Sequence, residues 1–247
     1  MTRSALLLVT LILLVPLWPT TSSGGQVKVA VAANFTAPMK ELSQRFEQQT
    51  GHRAIVSYGS TGKLFAQIHN GAPYEVFLAA DQERPRLLFQ AGLGDEPTTY
   101  AIGRLVLWSA DPDLIDDEAS VLYAADAFER IAIANPKTAP YGAAAMQVLD
   151  ALGVGQRLKP KLVRGDNIAQ TYQFVMTENA QLGFVAMSQV SEKGSKWIPP
   201  GSIHTPIRQD MVLIDRGRNN AAAVALVDFL RSDDARAITN RYGYLAE

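Results

Sequence analysis

The 247-residue chain contains no cysteine. That excludes a disulfide framework, thiol chemistry and attachment to a lipid through a cysteine. Histidine is almost as scarce. His52, His69 and His204 are scattered without the spacing of a metal site. There is no charge excess either: Lys+Arg number 23 and Asp+Glu 24, a formal net charge of -1, with no long block of one sign. The basic field that nucleic acid requires is therefore missing. Catalytic motifs are incomplete. Gly62-Lys63 has Ser57 where a phosphate loop has its first glycine, and Leu64 follows the lysine. Gly92-Leu93-Gly94 runs into Asp95-Glu96-Pro97, which breaks a dinucleotide fingerprint. Ser60, in Tyr58-Gly59-Ser60-Thr61-Gly62, lacks the first glycine of a nucleophile elbow. Neither an enzyme nor a resident cofactor is expected, and an exported serine hydrolase using Ser60 is the one alternative from that class.

What is present is an ordinary globular composition, 47% hydrophobic and 19% charged, with enough material for one large domain or two smaller ones. The N-terminus differs in kind. Met1-Thr2-Arg3-Ser4 carries one positive charge, residues 5–18 are almost unbroken apolar sequence, and small and polar residues follow through Gly25. This is the build of a secretory signal peptide over residues 1–25, with cleavage expected around Ser22 to Gly25. An uncleaved anchor is the alternative, but the run falls short of the roughly 20 residues that span a bilayer. A cysteine-free exported chain is expected free in the periplasm.

Two polar turns organise the mature chain. Asn34-Phe35-Thr36 follows the apolar run 27–33, and Ser60-Thr61-Gly62 follows 54–58. Each opens a helical pattern: 37–49, with Met39, Leu42 and Phe46 on one face, and 63–70, with Leu64 and Ile68 inside. A helix start offers N–H groups without internal partners and a partial positive charge, which is a ready anion site. A third strand is read at 74–80, then a helix to Gln90 with Asp81 as N-cap. Strands alternating with helices imply a parallel sheet, with ligand beyond the carboxyl ends of its strands.

A long extended run, 98–109, leads to a second series: a strand at 130–134, the loop Asn135 to Gly142, a helix at 143–152, and a helix at 168–178 capped by Asp166-Asn167. A strand at 182–186 follows, with Met187-Ser188 opening a helix. A second extended run at 206–214 precedes two closing helices, 219–230 and 233–241. The economical arrangement is two lobes joined by two extended crossovers, each lobe a mainly parallel sheet flanked by helices. Residues 26–103 and 207–247 form the first lobe and 104–206 the second. A cleft between lobes is the build of a hinge-closing ligand trap.

At this point the residues carry a resemblance. Val31-Ala32-Ala33-Asn34-Phe35-Thr36 is similar to the first ligand loop of periplasmic molybdate-binding proteins, the solute receptors of molybdate ABC transporters. Gly59-Ser60-Thr61-Gly62-Lys63-Leu64, Gly71-Ala72-Pro73, Phe77-Leu78-Ala79-Ala80-Asp81-Gln82, Asn135-Pro136, Pro140-Tyr141-Gly142, Leu182-Gly183-Phe184-Val185 and Arg241-Tyr242-Gly243-Tyr244 match in order. The resemblance implies a type II periplasmic binding fold closing on tetrahedral molybdate or tungstate. It also implies delivery to an inner-membrane ABC transporter permease, by a protein expected to act as a monomer. Carried over by position, Asn34 and Thr61 give a side chain and a backbone N–H, and Tyr141 and Ile168 mainly a backbone N–H. Phe35, Thr36 and Ser60 are further candidates. The molybdenum would be held as molybdate by hydrogen bonds, with no direct metal ligand. In one departure, Ala186 stands where many relatives have a tyrosine that reaches the ligand. The Tyr141 hydroxyl is the candidate replacement, with packing in the cleft as its alternative role.

Taken singly, Asn34 and Thr61 are also read as plain N-caps. Lys63 is read as a solvated helix lysine, and Asp166 as a cap with its carboxylate turned away from the ligand. No arginine lies in the candidate loops, so neutral dipoles would have to replace the water around a dianion. Donors alone satisfy a fully ionised oxyanion but leave the proton of hydrogen phosphate unpaired. Sulfate would differ from molybdate only in size, so a receptor for another tetrahedral oxyanion such as sulfate is the alternative within binding proteins.

Overall fold

The structure, a computed structural model, describes residues 24–190 and 193–245. The expected signal peptide lies outside the described residues except for Gly24 and Gly25. No helix among the described residues is long and apolar enough to cross a membrane.

Chain order is β1 (Gln26–Ala32), α1 (Thr36–Thr50), β2 (Arg53–Gly59), α2 (Thr61–His69), β3 (Val76–Leu78), α3 (Glu83–Gln90) and β4 (Thr98–Gly103). It continues with β5 (Leu105–Ser109), β6 (Ile131–Ala134), α4 (Pro140–Ala151), α5 (Gly155–Leu158), β7 (Leu162–Gly165), α6 (Ile168–Met176), β8 (Leu182–Ala186) and β9 (Ser195–Trp197). β10 (Ile207–Leu213), α7 (Ala221–Leu230) and α8 (Asp233–Arg241) close it. The strands form two sheets, β2-β1-β3-β10-β4 and β7-β6-β8-β5-β9.

Both sheets are mixed and share one plan. Three strands run parallel, β2-β1-β3 in the first and β7-β6-β8 in the second. Each then continues through the strand that has just crossed from the other sheet, β10 or β5, which pairs antiparallel. A strand that arrives from outside needs no right-handed helical crossover, so it can enter in the reverse sense. The run at 98–109 breaks at Arg104, with β4 in the first sheet and β5 in the second.

Register matters for the site. Ala32 lies opposite Gly59 and Ala134 opposite Gly165, so adjacent parallel strands end side by side. The turns that follow them are thereby neighbours in pairs. The closing helices cover the first sheet: Ala223, Leu226 and Ile238 pack in one cluster with Val27, Val29, Val31 and Phe46. On the other face Leu64, Ile68 and Leu88 meet Ala30 and Phe77. The second sheet's cluster runs across the cleft and takes in Ala32, Ala33 and Ala80. Local boundaries differ from the sequence reading at several helix starts, α2 beginning at Thr61 and α7 at Ala221. α4 begins at Pro140, because proline is suited to the first helical turn. Residues 187–189 make a single 3-10 turn rather than opening a helix.

Candidate oxyanion site

The four strands β1, β2, β6 and β7 each end in a turn that starts a helix, and all four turns open on one small cavity. It is lined by Ala32, Ala33, Asn34, Gly59, Ser60, Thr61, Ala80, Ala139, Pro140, Tyr141, Asn167 and Ile168. The cavity is small, about 10 Å³, room for one small polar species rather than for a sugar or peptide. None of the lining residues is charged.

Thr61, Tyr141 and Ile168 stand at the first or second position of α2, α4 and α6. No preceding turn supplies a carbonyl to their N–H groups. Asn34 is the middle residue of the 3-10 turn Ala33–Phe35 that precedes α1, and its N–H is likewise ahead of the first carbonyl that turn offers. The structure therefore brings Asn34, Thr61, Tyr141 and Ile168 together from 134 residues of chain, with helix-start N–H groups on both sides of the cavity.

The side chains behave differently from simple caps. The Thr61 hydroxyl oxygen accepts the Ala80 N–H at 3.1 Å, which leaves its own proton to donate. Asn34 uses both amide hydrogens inward, on Gln209 Oε1 at 2.8 Å and the Tyr244 hydroxyl at 2.9 Å. Ser60 is 3% exposed, and its Oγ has no hydrogen-bond partner in the protein. A buried hydroxyl without a partner is costly, so an unpaired one facing a cavity marks a place for a polar ligand. Phe35 and Thr36 stay out of the lining. Phe35 packs edge-on against Tyr100 and Tyr244, with ring centroids at 4.9 and 5.2 Å, and the Thr36 hydroxyl donates to the Ala33 carbonyl at 2.8 Å.

On the second-lobe side the Tyr141 hydroxyl accepts from Gln209 Nε2 at 3.2 Å. Burial pushes the phenols of Tyr100 and Tyr141 well above the ordinary value and that of Tyr244 up as well, so all three are neutral hydrogen-bonding groups. The helix that carries Ile168 is capped by Asn167, whose Oδ1 accepts from Ala169 N at 2.9 Å and Gln170 N at 3.0 Å. Asp166 is not the cap. Its carboxylate pairs at 2.9 Å with Lys63, which is exposed but not merely solvated. This corrects both assignments. The pair spans the two sheets and offsets a negative charge beside the cavity. Asp81 does accept the Arg84 N–H at 3.0 Å, as a cap would. Next to Lys63, the Gly62 N–H donates to Thr138 O at 2.8 Å, so this helix-start donor is used between segments of the two sheets rather than in the cavity. Ser188 Oγ likewise donates between them, to Asn34 O at 2.8 Å.

Gln209, Tyr100 and Tyr244 are the residues that sequence reasoning missed. Gln209 and Tyr100 sit in strands with no local signal, and Tyr244 lies in the Arg241–Tyr244 run without a role read for it; Gln209 and Tyr244 bond Asn34, and Tyr100 bonds Gln209, only through tertiary pairing.

Comparison with known proteins agrees with this geometry. The family model described as bacterial extracellular solute-binding protein matches residues 27–245. The chain is 52% identical over 230 residues to a protein of Azotobacter vinelandii named molybdate-binding protein ModA, covering 90% of this chain and 91% of that one. It is 48% identical over 230 residues to the protein of the same name from Rhodobacter capsulatus, covering 92% and 90%. Among solved structures, the Azotobacter vinelandii periplasmic molybdate-binding protein superposes with a TM-score of 0.87 at 38% identity, over 90% of this chain and 99% of that one. Both the extent and the identity of these matches are those of kinship: the chain belongs to the bacterial extracellular solute-binding protein family, among the members named molybdate-binding protein ModA.

Proposed function

We propose that this protein is a periplasmic receptor that captures molybdate, and tungstate by the same chemistry, in the cavity between its two sheets and delivers it to an ABC transporter permease. The observation that carries the reading is the uncharged cavity ringed by the starts of helices, with the unpaired Ser60 Oγ on its wall. The N–H groups of Asn34, Thr61, Tyr141 and Ile168 and the hydroxyls of Thr61 and Ser60 are the donors. They are fixed by the fold before the anion arrives, so little reorganisation is needed to replace its water.

The lobes are 26–103 with 207–247, and 104–206, hinged where β4 passes to β5 and where the chain returns into β10. An open form admits the anion. Donors from both lobes then make the closed form the one that binds it more tightly, which shifts the population to closed. The protein acts as a monomer, and its 1–25 segment directs export. A hydrolase reading finds no support, since a serine nucleophile needs a base within hydrogen-bond reach and Ser60 Oγ touches none. Titration calorimetry of the purified protein with molybdate, tungstate, sulfate and phosphate tests the reading. Molybdate and tungstate should bind tightly, sulfate weakly and phosphate not at all. Sulfate binding as tight as molybdate would instead identify a general receptor for tetrahedral dianions.

A further inference from the structure

Behind the cavity lies a buried polar cluster that anion binding alone leaves unexplained. Gln209, in β10, is 0% exposed and does not line the cavity. Its Oε1 accepts from Asn34 Nδ2 at 2.8 Å and from the Tyr100 hydroxyl at 3.0 Å, while its Nε2 donates to the Tyr141 hydroxyl at 3.2 Å. Two of these three partners are cavity residues, one on each side. Asn34 belongs to the turn after β1, and Tyr141 to the start of α4.

Gln209 also stands at the crossovers. It pairs with Ala101 of β4, two residues from the Ile207–Gly103 pair where the outgoing and returning strands leave the first sheet. The ladder is irregular between Gln209 and Asp210. A Cβ on Gly103 would overlap both the Tyr141 hydroxyl and the Gln209 amide. The Tyr141 ring thus reaches from the second lobe into the space between the two crossovers, and glycine at 103 leaves room for it.

We infer that Gln209 is the positioning residue that couples the two halves of the oxyanion site to closure at the hinge, an inference that rests on the function proposed above. Its bonds to Asn34 and Tyr100 lie within the first lobe and persist when the lobes part. Its bond to Tyr141 joins the lobes and exists only when the start of α4 has swung onto the cavity. Asn34 has no amide hydrogen left for the anion, so its side chain fixes the turn whose N–H donates. The Tyr141 hydroxyl accepts from Gln209 and hydrogen-bonds Tyr244 with its own proton, so it too acts as an anchor and not as an anion donor. A bond made only in the closed form adds to differential affinity and slows release of the ligand.

Stopped-flow and calorimetric binding of molybdate to Gln209→Met, Tyr141→Phe and the double variant test this, with Tyr242→Phe as the control. Loss of the cross-lobe hydrogen bond should raise the dissociation rate about tenfold in Tyr141→Phe and at least as much in Gln209→Met, which also frees Asn34 and Tyr100, with the association rate nearly unchanged in Tyr141→Phe. The double variant should lose clearly less than the sum of the two, because both remove the Gln209–Tyr141 bond. Tyr242→Phe breaks a hydrogen bond to Glu41 within the first lobe, outside the Gln209 cluster, and should leave the dissociation rate within about twofold of wild type. Additive losses in the double variant would overturn the inference, because the Tyr141 hydroxyl would then act apart from Gln209. A wild-type dissociation rate in Gln209→Met would overturn it as well. If Gln209→Met does not fold, equal effects of Tyr141→Phe and Tyr242→Phe overturn it and a selective effect of Tyr141→Phe supports it. A wild-type protein that binds no oxyanion would overturn the proposed function and this inference together, whereas tight wild-type binding with unaffected variants overturns the inference alone.

Discussion

Gly62 offers a way to obstruct closure without touching the anion. It is the second residue of α2 and has ordinary helical geometry, so alanine is compatible with the backbone and raises helix propensity by up to about 1 kcal/mol. In the closed structure the added Cβ would lie 3.0 Å from Thr138 Cα, 3.2 Å from Thr138 O and 3.3 Å from Arg84 Nε. Two of those neighbours are backbone atoms of the other lobe and must yield by a few tenths of an ångström, stretching the Gly62 N–H to Thr138 O bond of 2.8 Å. Overpacking of this kind costs about 1–3 kcal/mol. Because the clash exists only when closed, the whole cost falls on binding, a loss of about 5- to 150-fold in affinity. The ligand-free protein should melt at or slightly above the wild-type temperature, while the rise in melting temperature at a fixed molybdate concentration shrinks. Calorimetry and paired melts with and without molybdate read both signs. Wild-type affinity in Gly62→Ala would refute the claim that this contact forms in the bound state.

Other perturbations probe the same geometry. Ser60→Ala removes the unpaired hydroxyl, and molybdate affinity should drop by about 1–2 kcal/mol while ligand-free stability holds or rises; an affinity equal to wild type would take Ser60 out of the site. Asp166→Asn removes the ion pair with Lys63, whose side chains are 51% and 67% exposed. Its effect on affinity should stay below about 1 kcal/mol and fade with added salt, whereas a salt-independent loss would point to a role inside the cavity. The raised phenols of Tyr100, Tyr141 and Tyr244 set a pH expectation. A folded pKa above the unfolded value of 10.0 gives stability that is fully present below pH 10.0 and lost as pH rises through the folded values. Denaturant unfolding should therefore show no loss from these groups between pH 7 and 9 and a steep loss above pH 10, a slope that Tyr100→Phe should reduce.

The turns that line the cavity were legible because their signals are local. Asn34 and Thr61 follow apolar strands and open helices, a pattern written within ten residues of each. Ile168 follows the cap Asn167. Tyr141 was assigned to a loop before the helix, although Pro140 already carried the signal for a helix start. The two-sheet plan was legible from two extended runs and from closing helices with nothing nearby in sequence to pack on. What stayed hidden depends on side chains that meet from far apart. Gln209 reads as one more residue of a strand, and its bond to Asn34 joins positions 175 apart. Lys63 and Asp166 looked like separate surface charges because nothing in either neighbourhood encodes the closed cleft. The mixed sense of the sheets was hidden for a related reason: it follows from where β5 and β10 insert, not from their own residues.

The central claim is that a tetrahedral oxyanion is held by helix-start N–H groups from both lobes. An anomalous difference map from crystals of the purified protein grown with molybdate tests it most directly, because molybdenum identifies itself by its scattering. The expected result is one strong peak in the cavity between β1, β2, β6 and β7, with oxygens within hydrogen-bond reach of the N–H groups of Asn34, Thr61, Tyr141 and Ile168. A peak in another groove, or molybdate coordinated by lysine and arginine side chains at the surface, would contradict it.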